Sequence, residues 1–591
     1  VAFTLQYPDG PKTFNIDAYD GAVRDDDSED DFVFSASGFL LTANPVTDPP
    51  ASDPVSTQLA GQNFPISITA YGTTSTDPVC GVIESYTGDR SLRLWGEYLD
   101  PVSGSLSMTI DGQVISMGTY QRAQTVRFDQ GKASVNVKYR DAGKIRLRVY
   151  DLNEADVIIG NSNGFVVKPA AFELTHVLRQ PDSMVNPEAS DATGPAFTAA
   201  GKPFEVTVTA VDRDGNLTPN YGQEKNPESI VLSHQLVQPS GGQAGTLSGS
   251  LVNQHAGTFT GTFSWSEVGI LSLTANVADG SYLGAGDISA VLPRVGRFTP
   301  AQFALSGIDG GAFADACSAG FTYIGQTFGY QTPPSLSITA QNAFGDTTQN
   351  YEGAFAFLTK AGVSVAPVTA DHAQLGTDSL PLTITQTVDS SGRVITPSSA
   401  GTFEFTFGDD RYEFDKTDQA LVDPFNADIQ LRVTSVSDGD VSSHFTSGNT
   451  LEPVSTQLVY GRAFAKSAHG SELQDLSLPV ILQRYDAAIG DFIRHSADSC
   501  TPVPAEMLTP LDGSLDAAAL SGAFSSVAPG EFRLTLSAPG AGQTGSVQVD
   551  YTVPTYLQYP WKGSVDQNPS AVATFGIYQE SPVIIFRRDV R

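Results

Sequence analysis

The feature that most restricts what this chain can become is that it copies itself. Three segments open alike: AGQNFPISITAYG from Ala60, AGKPFEVTVTAVD from Ala200 and IGQTFGYQTPPSLSITAQN from Ile324. In each, a turn containing glycine precedes an aromatic residue and then a run whose alternate positions carry Ile, Val or Leu. A period of two marks a strand with one buried face. A weaker fourth copy is ELQDLSLPVILQRYD from Glu472. Later halves repeat too. VNVKYRDAGKIRLRVYD from Val135 aligns with FTLQYPDGPKTFNIDAYD from Phe3, matching Tyr139 with Tyr7, Asp141 with Asp9 and Lys144 with Lys12. GTFTGTFSWSEVGILSLTANV from Gly257 and GTFEFTFGDDRYEF from Gly401 fill the same slot, each read as two strands around a turn, and NLTPNYG at Asn216 echoes TTQNYEG at Thr347.

Sustained helical periodicity is hard to find, and the repeat of about 125 to 155 residues is too long for a solenoid. It suits an all-β chain of tandem immunoglobulin-like β-sandwich domains, each closing a core between two sheets and together making an elongated rod. The expected divisions are residues 1–45, the closing strands of a truncated sandwich; 46–170 and 171–298, Ig-like sandwiches; and 299–455 and 456–591, two further sandwiches. GFLLTANP at Gly38, GFVVKPAAFEL at Gly164, GRFTPAQFAL at Gly296 and GRAFAKSAHG at Gly461 read as linkers. The chain opens in a strand-like pattern at Val1, so missing upstream sequence is expected to supply the front of the first fragment. At the other end, FGIYQESPVIIF reads as a terminal hairpin turning at Gln579 to Pro582, with Phe575, Ile577, Val583 and Ile585 on its packed face. The alternative is a strand donated to another subunit by β-augmentation.

Charge narrows the partners. Lys and Arg total 33 against 65 Asp and Glu, a formal net charge of −32. Such a surface repels polyanions, which argues against nucleic acid, and attracts divalent cations. No apolar run reaches the length of a membrane-spanning helix. Cys80, Cys317 and Cys500 lie far apart with no Cys/His cluster, which disfavours zinc. Their odd number leaves two readings open, three buried thiols or one long-range disulfide.

The densest charge is RDDDSEDD, Arg24 to Asp31, where Asp25, Asp27 and Glu29 are candidate Ca²⁺ ligands. The spacing fits no EF-hand, and a solvated loop is the competing reading. DRDGN offers Asp212, Asp214 and Asn216 as alternating oxygens, against a tight turn with Gly215 at positive φ. Trp95 and Trp265 continue alternating strands and read as core or inter-sheet residues. Trp561, in YLQYPWKGSVDQNPS with Tyr556 and Tyr559 nearby, is the best aromatic candidate for stacking on a sugar ring. The seven histidines are isolated and no nucleophile motif accompanies them, so catalysis has no candidate residues.

Several motifs in order carry a resemblance: GRFTPAQFAL at Gly296, CSAGFTYIGQTF at Cys317, QNYEGAFA at Gln349, GRAFAKSAHGSELQDLSLPVILQRYD at Gly461, HSADSCTP around Cys500, and YLQYPWKGSVDQNPSAVATFGIYQESPVIIFRRDV. From about residue 296 to its end the chain resembles the C-terminal region of MshQ-like proteins, encoded with mannose-sensitive haemagglutinin (MSHA) type IV pili. The resemblance implies a secreted surface protein of a Gram-negative bacterium, associated with a pilus and often carrying a lectin-like domain further upstream. It implies pilus subunits or other surface proteins as partners, and no catalytic residues. KGSVDQ, Lys562 to Gln567, stands where the family has an Asp/Gly-rich loop, which argues against a cation site there. The leading expectation is a non-enzymatic adhesin or minor pilus component. The alternative is a module that binds carbohydrate or a host protein with calcium, and the third reading is a polysaccharide-active enzyme.

Overall fold

The computed structural model describes residues 12–14, 19–21, 23–24, 32–34, 37–46, 53–72, 81–120, 122–152, 158–371, 382–385, 392–416, 421–426, 428–561, 563 and 565–577. They fall into two compact units, residues 1–301 with 342–351, and residues 302–341 with 352–591. The architecture is all-β throughout, in tandem Ig-like sandwiches.

In the first unit, the AGQNFPISITAYG run becomes strand Asn63–Gly72, with Phe64, Ile66 and Ile68 buried. It pairs antiparallel with Lys132–Tyr139, Val135 opposite Ile66 and Val137 opposite Phe64. Strand Gly143–Asp151 turns Ile145, Leu147 and Val149 inward and Arg146 and Arg148 outward. Fully burying each such aliphatic side chain stabilises the fold by about 1.5–3 kcal/mol. The second sandwich has one sheet running Ala171–Arg179, Phe204–Val211, Thr258–Trp265 and Leu247–Gly249. Its other sheet runs Thr198–Ala199, Ser289–Thr299, Gly269–Val277 and Ile230–Gln238. Its core is rich in aromatic rings: Phe197, Phe204, Trp265 and Phe298 meet edge to face, and Trp265 donates its Nε1–H to Ala244 O at 2.9 Å.

The second unit repeats the plan. Gln302–Asp309, Ser335–Gln341, Thr402–Thr406 and Val394–Ser399 make one sheet of a third sandwich, and Val363–Asp371, Asp428–Ser437 and Ser442–His444 belong to another. The fourth pairs Gly461–Ala465, Leu476–Asp486, Glu531–Leu536 and Gly522–Ala528 against Ala468–Gly470, Ser570–Phe575, Gly545–Thr552 and Ala505–Gly513.

One detail recurs in all four sandwiches and explains the repeated opening motif. A short strand ahead of the motif pairs in parallel with the domain's last strand: Gln58 with Val167, Thr198 with Phe298, Thr322 with Leu458 and Ala468 with Ala573. The chain must then reverse to start the next strand. In the first three copies it does so at Gly61, Gly201 and Gly325, whose φ values of +78°, +79° and +83° suit glycine alone at low cost.

Several expectations change. Gly38–Pro45, read as a linker at the end of the fragment 1–45, holds most of strand Ser37–Thr42 of the first sandwich, with Phe39 opposite Ala70 and Leu41 opposite Ile68. Burial of Phe39 and Leu41 is the reason. Phe165–Lys168 and Ala171–Arg179, also read as linker, are strands separated by two residues. Trp95 is not core: Leu92 and Leu94 take the inward positions of Gly88–Asp100, so Trp95 faces outward against Tyr120, with ring centroids 5.5 Å apart. At the C-terminus Phe575 is fully buried but Ile577 is 40% exposed, off the packed face assigned to it. Val583, Ile585 and the turn at Gln579 lie outside the described residues, as does Cys80.

Candidate functional site at the sandwich junctions

The later repeat motifs, read as strands around a turn, are corners where the chain changes its pairing partners: Thr258–Trp265 and Gly269–Val277 lie in different sheets, while the first sandwich's two strands belong to one continuous twelve-stranded sheet. Lys132–Tyr139 pairs with Asn63–Gly72, whereas Gly143–Asp151 pairs with Gly88–Asp100. Asp141 sits at this corner and is fully buried. Its Oδ1 accepts the backbone N–H of Ala142 at 2.9 Å and that of Asn220, from the next sandwich, at 2.9 Å. Asn220 returns its side-chain Nδ2–H to Ala142 O at 3.1 Å and to Tyr139 Oη at 3.2 Å. Burial pushes Asp141 up to about 6, opposed by the two N–H donors. Around it, Arg213 N–H donates to Ala60 O at 2.9 Å. Lys138 Nζ and Arg140 Nη2 reach Asp214 at 2.9 and 2.8 Å.

The same clamp recurs within the first unit. Glu267, at the corner between Thr258–Trp265 and Gly269–Val277, accepts the N–H groups of Gln349 and Asn350, each at 3.1 Å. Asn350 Nδ2 donates to Val268 O at 3.1 Å and to Gln243 O at 2.8 Å, and Ala343 N–H donates to Ala200 O at 2.9 Å. Burial raises Glu267 as well. The echo between NLTPNYG and TTQNYEG is thus the sequence trace of a clamp: each supplies an Asn to an acidic corner. Asp141 and Glu267 carry no local signal of this role, because their partners lie 79 and 83 residues away.

In the second unit the third and fourth sandwiches are joined differently. The turn that presents Asn220 closes from Tyr221 N–H to Thr218 O, and that of Asn350 from Tyr351 N–H to Thr348 O. The fourth sandwich makes the same turn from Asp498 N–H to His495 O at 3.1 Å, with Asp498 in the Tyr position. Buried Asp498 accepts Tyr323 Oη–H at 2.7 Å and Thr501 Oγ1–H at 2.6 Å through Oδ2, and Thr501 N–H through Oδ1. His495 Nδ1 lies 2.9 Å from the same tyrosine oxygen, and burial lowers the histidine's pKa. Beside this network Cys500 is disulfide-bonded to Cys317, 183 positions earlier. The long-range pairing is therefore the reading that holds. Lys416 adds three bonds to carbonyls of the fourth sandwich: Gly461 and Tyr556 at 2.9 Å and Gln558 at 2.5 Å.

The sequence-derived site residues divide between these junctions and one further cluster. Asp212, Asp214 and Asn216 do converge, around a turn in which Asp212 Oδ1 accepts the N–H of Asp214 at 2.8 Å and of Asn216 at 2.9 Å, with Gly215 at φ +77°. Lys138 and Arg140 pair with Asp214, and Arg140 Nε also lies 3.3 Å from Asp212 Oδ2. Asp25, Asp27 and Glu29 lie outside the described residues. Tyr559 and Trp561 stand edge to face at 5.2 Å around the Arg462 guanidinium, which lies 4.9 and 5.0 Å from their ring centroids and 3.7 Å from that of Phe492. Trp561 is only partly exposed, and its Nε1 is buried without an acceptor. Tyr556 is not part of this cluster: it stacks on Tyr323 at 5.5 Å, in the junction.

Family models for DUF6701, a domain of unknown function, match the chain in order along its length: its first Ig-like domain at residues 19–168, second domain at 168–264, third at 267–459 and fourth at 459–590. No curated protein matches the sequence. Among solved structures the chain is similar to invasin, a bacterial integrin-binding protein, at 10% identity over 91% of this chain and 79% of that one, with a TM-score of 0.29. It is also similar to the D0–D1 domains of intimin, at 17% identity, 42% and 96% coverage and a TM-score of 0.14. Titin domains I67–I69 match at 9% identity, 70% and 100% coverage and a TM-score of 0.19.

Proposed function

The chain belongs to the DUF6701 family, and from that premise we propose that it is a non-enzymatic protein of the bacterial cell surface, an adhesin or minor component associated with an MSHA-type type IV pilus. The observation that carries this reading is the Cys317–Cys500 bond. A disulfide in a bacterial protein of ordinary growth temperature persists in oxidising surroundings, outside the cytosol. The junctions support a structural role, because Asp141 Oδ1 and Glu267 accept backbone N–H groups across sandwich boundaries and Asn220 and Asn350 donate back. The pilus association rests on the MshQ-like motifs from residue 296 onward. The test is co-purification: filaments sheared from the cell surface are expected to carry this chain together with pilus subunits. Recovery only from the cytoplasm, with Cys317 and Cys500 reduced, would overturn it.

A second reading follows from one observation, the edge-to-face pair of Trp561 and Tyr559, both partly exposed. A partly exposed aromatic pair suits a carbohydrate ring, which stacks on an aromatic face. Glycan binding by the intact chain that disappears in Trp561→Ala supports it, with calcium added and withheld as separate arms. Equal binding by both proteins refutes it.

A further inference from the structure

We propose that the Cys317–Cys500 bond is a covalent shunt that takes the third sandwich, and its joint to the fourth, out of the path of any tension applied along the chain. The two Cα atoms are 5.5 Å apart, whereas the sequence between them spans 182 residues. Force entering at one cysteine crosses to the other through the sulfurs and never loads the enclosed loop.

What the loop encloses gives the bond its purpose. Inside it lie Ser335–Gln341, Val363–Asp371, Thr402–Thr406 and Asp428–Ser437 of the third sandwich, the single connecting residue Tyr460, and Gly461–Ala465, Leu476–Asp486 and Asp491–Arg494 of the fourth. Only Gln302–Asp309 and Ala312–Phe313 of the third sandwich stay in the load path. The position is also the one where the Asn clamp is missing. Asn220 and Asn350 precede the closing tyrosine of their turns. In the fourth sandwich that tyrosine is replaced by Asp498, and Cys500 follows two residues later. Hydrogen bonds hold the clamps of the first unit, and a covalent bond holds this joint. Cys317 is buried, whereas Cys500 is exposed.

The device is useful only if the tandem array bears load, as the proposed surface role implies. The measurement below tests the bond as a mechanical device, and the surface role is decided separately by whether the chain is recovered with sheared filaments. The full chain is held by its two ends in an optical trap. In the oxidised state, complete unfolding is expected to release a contour length 182 residues short of the whole chain. Dithiothreitol, added while the unfolded chain is held under tension, supplies two electrons and two protons, becomes the cyclic disulfide and leaves two protein thiols. One further step of roughly 600 Å is then expected, at about 3.3–3.6 Å per residue. The doubly substituted Cys317→Ser, Cys500→Ser chain is expected to reach full length without reductant. Should that variant fail to fold, the reductant step in the unaltered protein still decides. An oxidised chain that unfolds to full length, or no added step with reductant, overturns the proposal.

Discussion

Asp141 gives the account its sharpest handle. Its carboxyl is fully buried at the first junction, faced by Tyr98 and Tyr139 from its own sandwich and by Asn220 and Tyr282 from the next. Burial lifts its pKa from 3.8 to about 6, so the joined state holds a proton that the separated state releases. The sign follows by linkage. Between about pH 4 and 6 the joined state binds more protons, so the junction weakens as pH rises through that window and stays weakened above it. The gap from 3.8 to about 6 sets an upper bound of about 3 kcal/mol, or roughly a hundredfold, on the opening equilibrium, reached when opening returns the carboxyl fully to water. Asp214 works in the other direction: its hydrogen bonds from Lys138, then Arg140, hold its pKa low, and that contribution is lost only as pH falls below the window. Amide hydrogen exchange of the Asn216–Gly222 segment, corrected for the intrinsic rate, reads the opening directly. Asp141→Asn keeps an oxygen for the Asn220 N–H and removes the titration. The unaltered chain is expected to show a change of about thirtyfold between pH 4 and 6, and the variant almost none. Equal pH dependence in the two proteins would refute the reasoning.

Asn350→Ala removes two side-chain donors and leaves Val268 O and Gln243 O without them, so about 1–3 kcal/mol of docking should be lost, seen as faster exchange across residues 342–351. Trp265→Ala, in the aromatic core of the second sandwich, should cost about 3–5 kcal/mol in denaturant unfolding. Separating Cys317 from Cys500 frees a loop whose closure entropy is worth about 5 kcal/mol, so reduction should lower the denaturant midpoint of the second unit while leaving the first unchanged. Trp561→Ala should shift stability by about 1 kcal/mol through its contact with Arg462, since that ring is half-exposed.

The sandwiches are legible in the sequence because their signal is local. Alternation in ISITAYG, EVTVTAV and LSITAQ needs no partner to be read, and the turn at Asp212 to Asn216 is written in five consecutive residues. Where a second structural fact decides the outcome, the local pattern misleads. Gly38 to Thr42 looks like a linker until Phe39 and Leu41 are seen pairing with Asn63–Gly72. Trp95 looks like core until Leu92 and Leu94 claim the inward face. Tyr556 shares a sequence neighbourhood with Tyr559 and Trp561, yet the 3-10 turn Thr555–Leu557 sets it against Tyr323 instead. The junctions are the least legible part, since Asp141 meets Asn220 and Cys317 meets Cys500 across separations of 79 and 183 residues. Repetition alone hints at them, in the shared NY of NLTPNYG and TTQNYEG.

Thiol trapping decides most directly whether this is a tandem of sandwiches covalently joined outside the cytosol. Alkylating the protein at the moment of lysis of the cells that make it, then mapping its peptides by mass spectrometry, should return Cys317 and Cys500 in one linked pair without the alkyl label. Finding both cysteines alkylated in separate peptides would contradict the account.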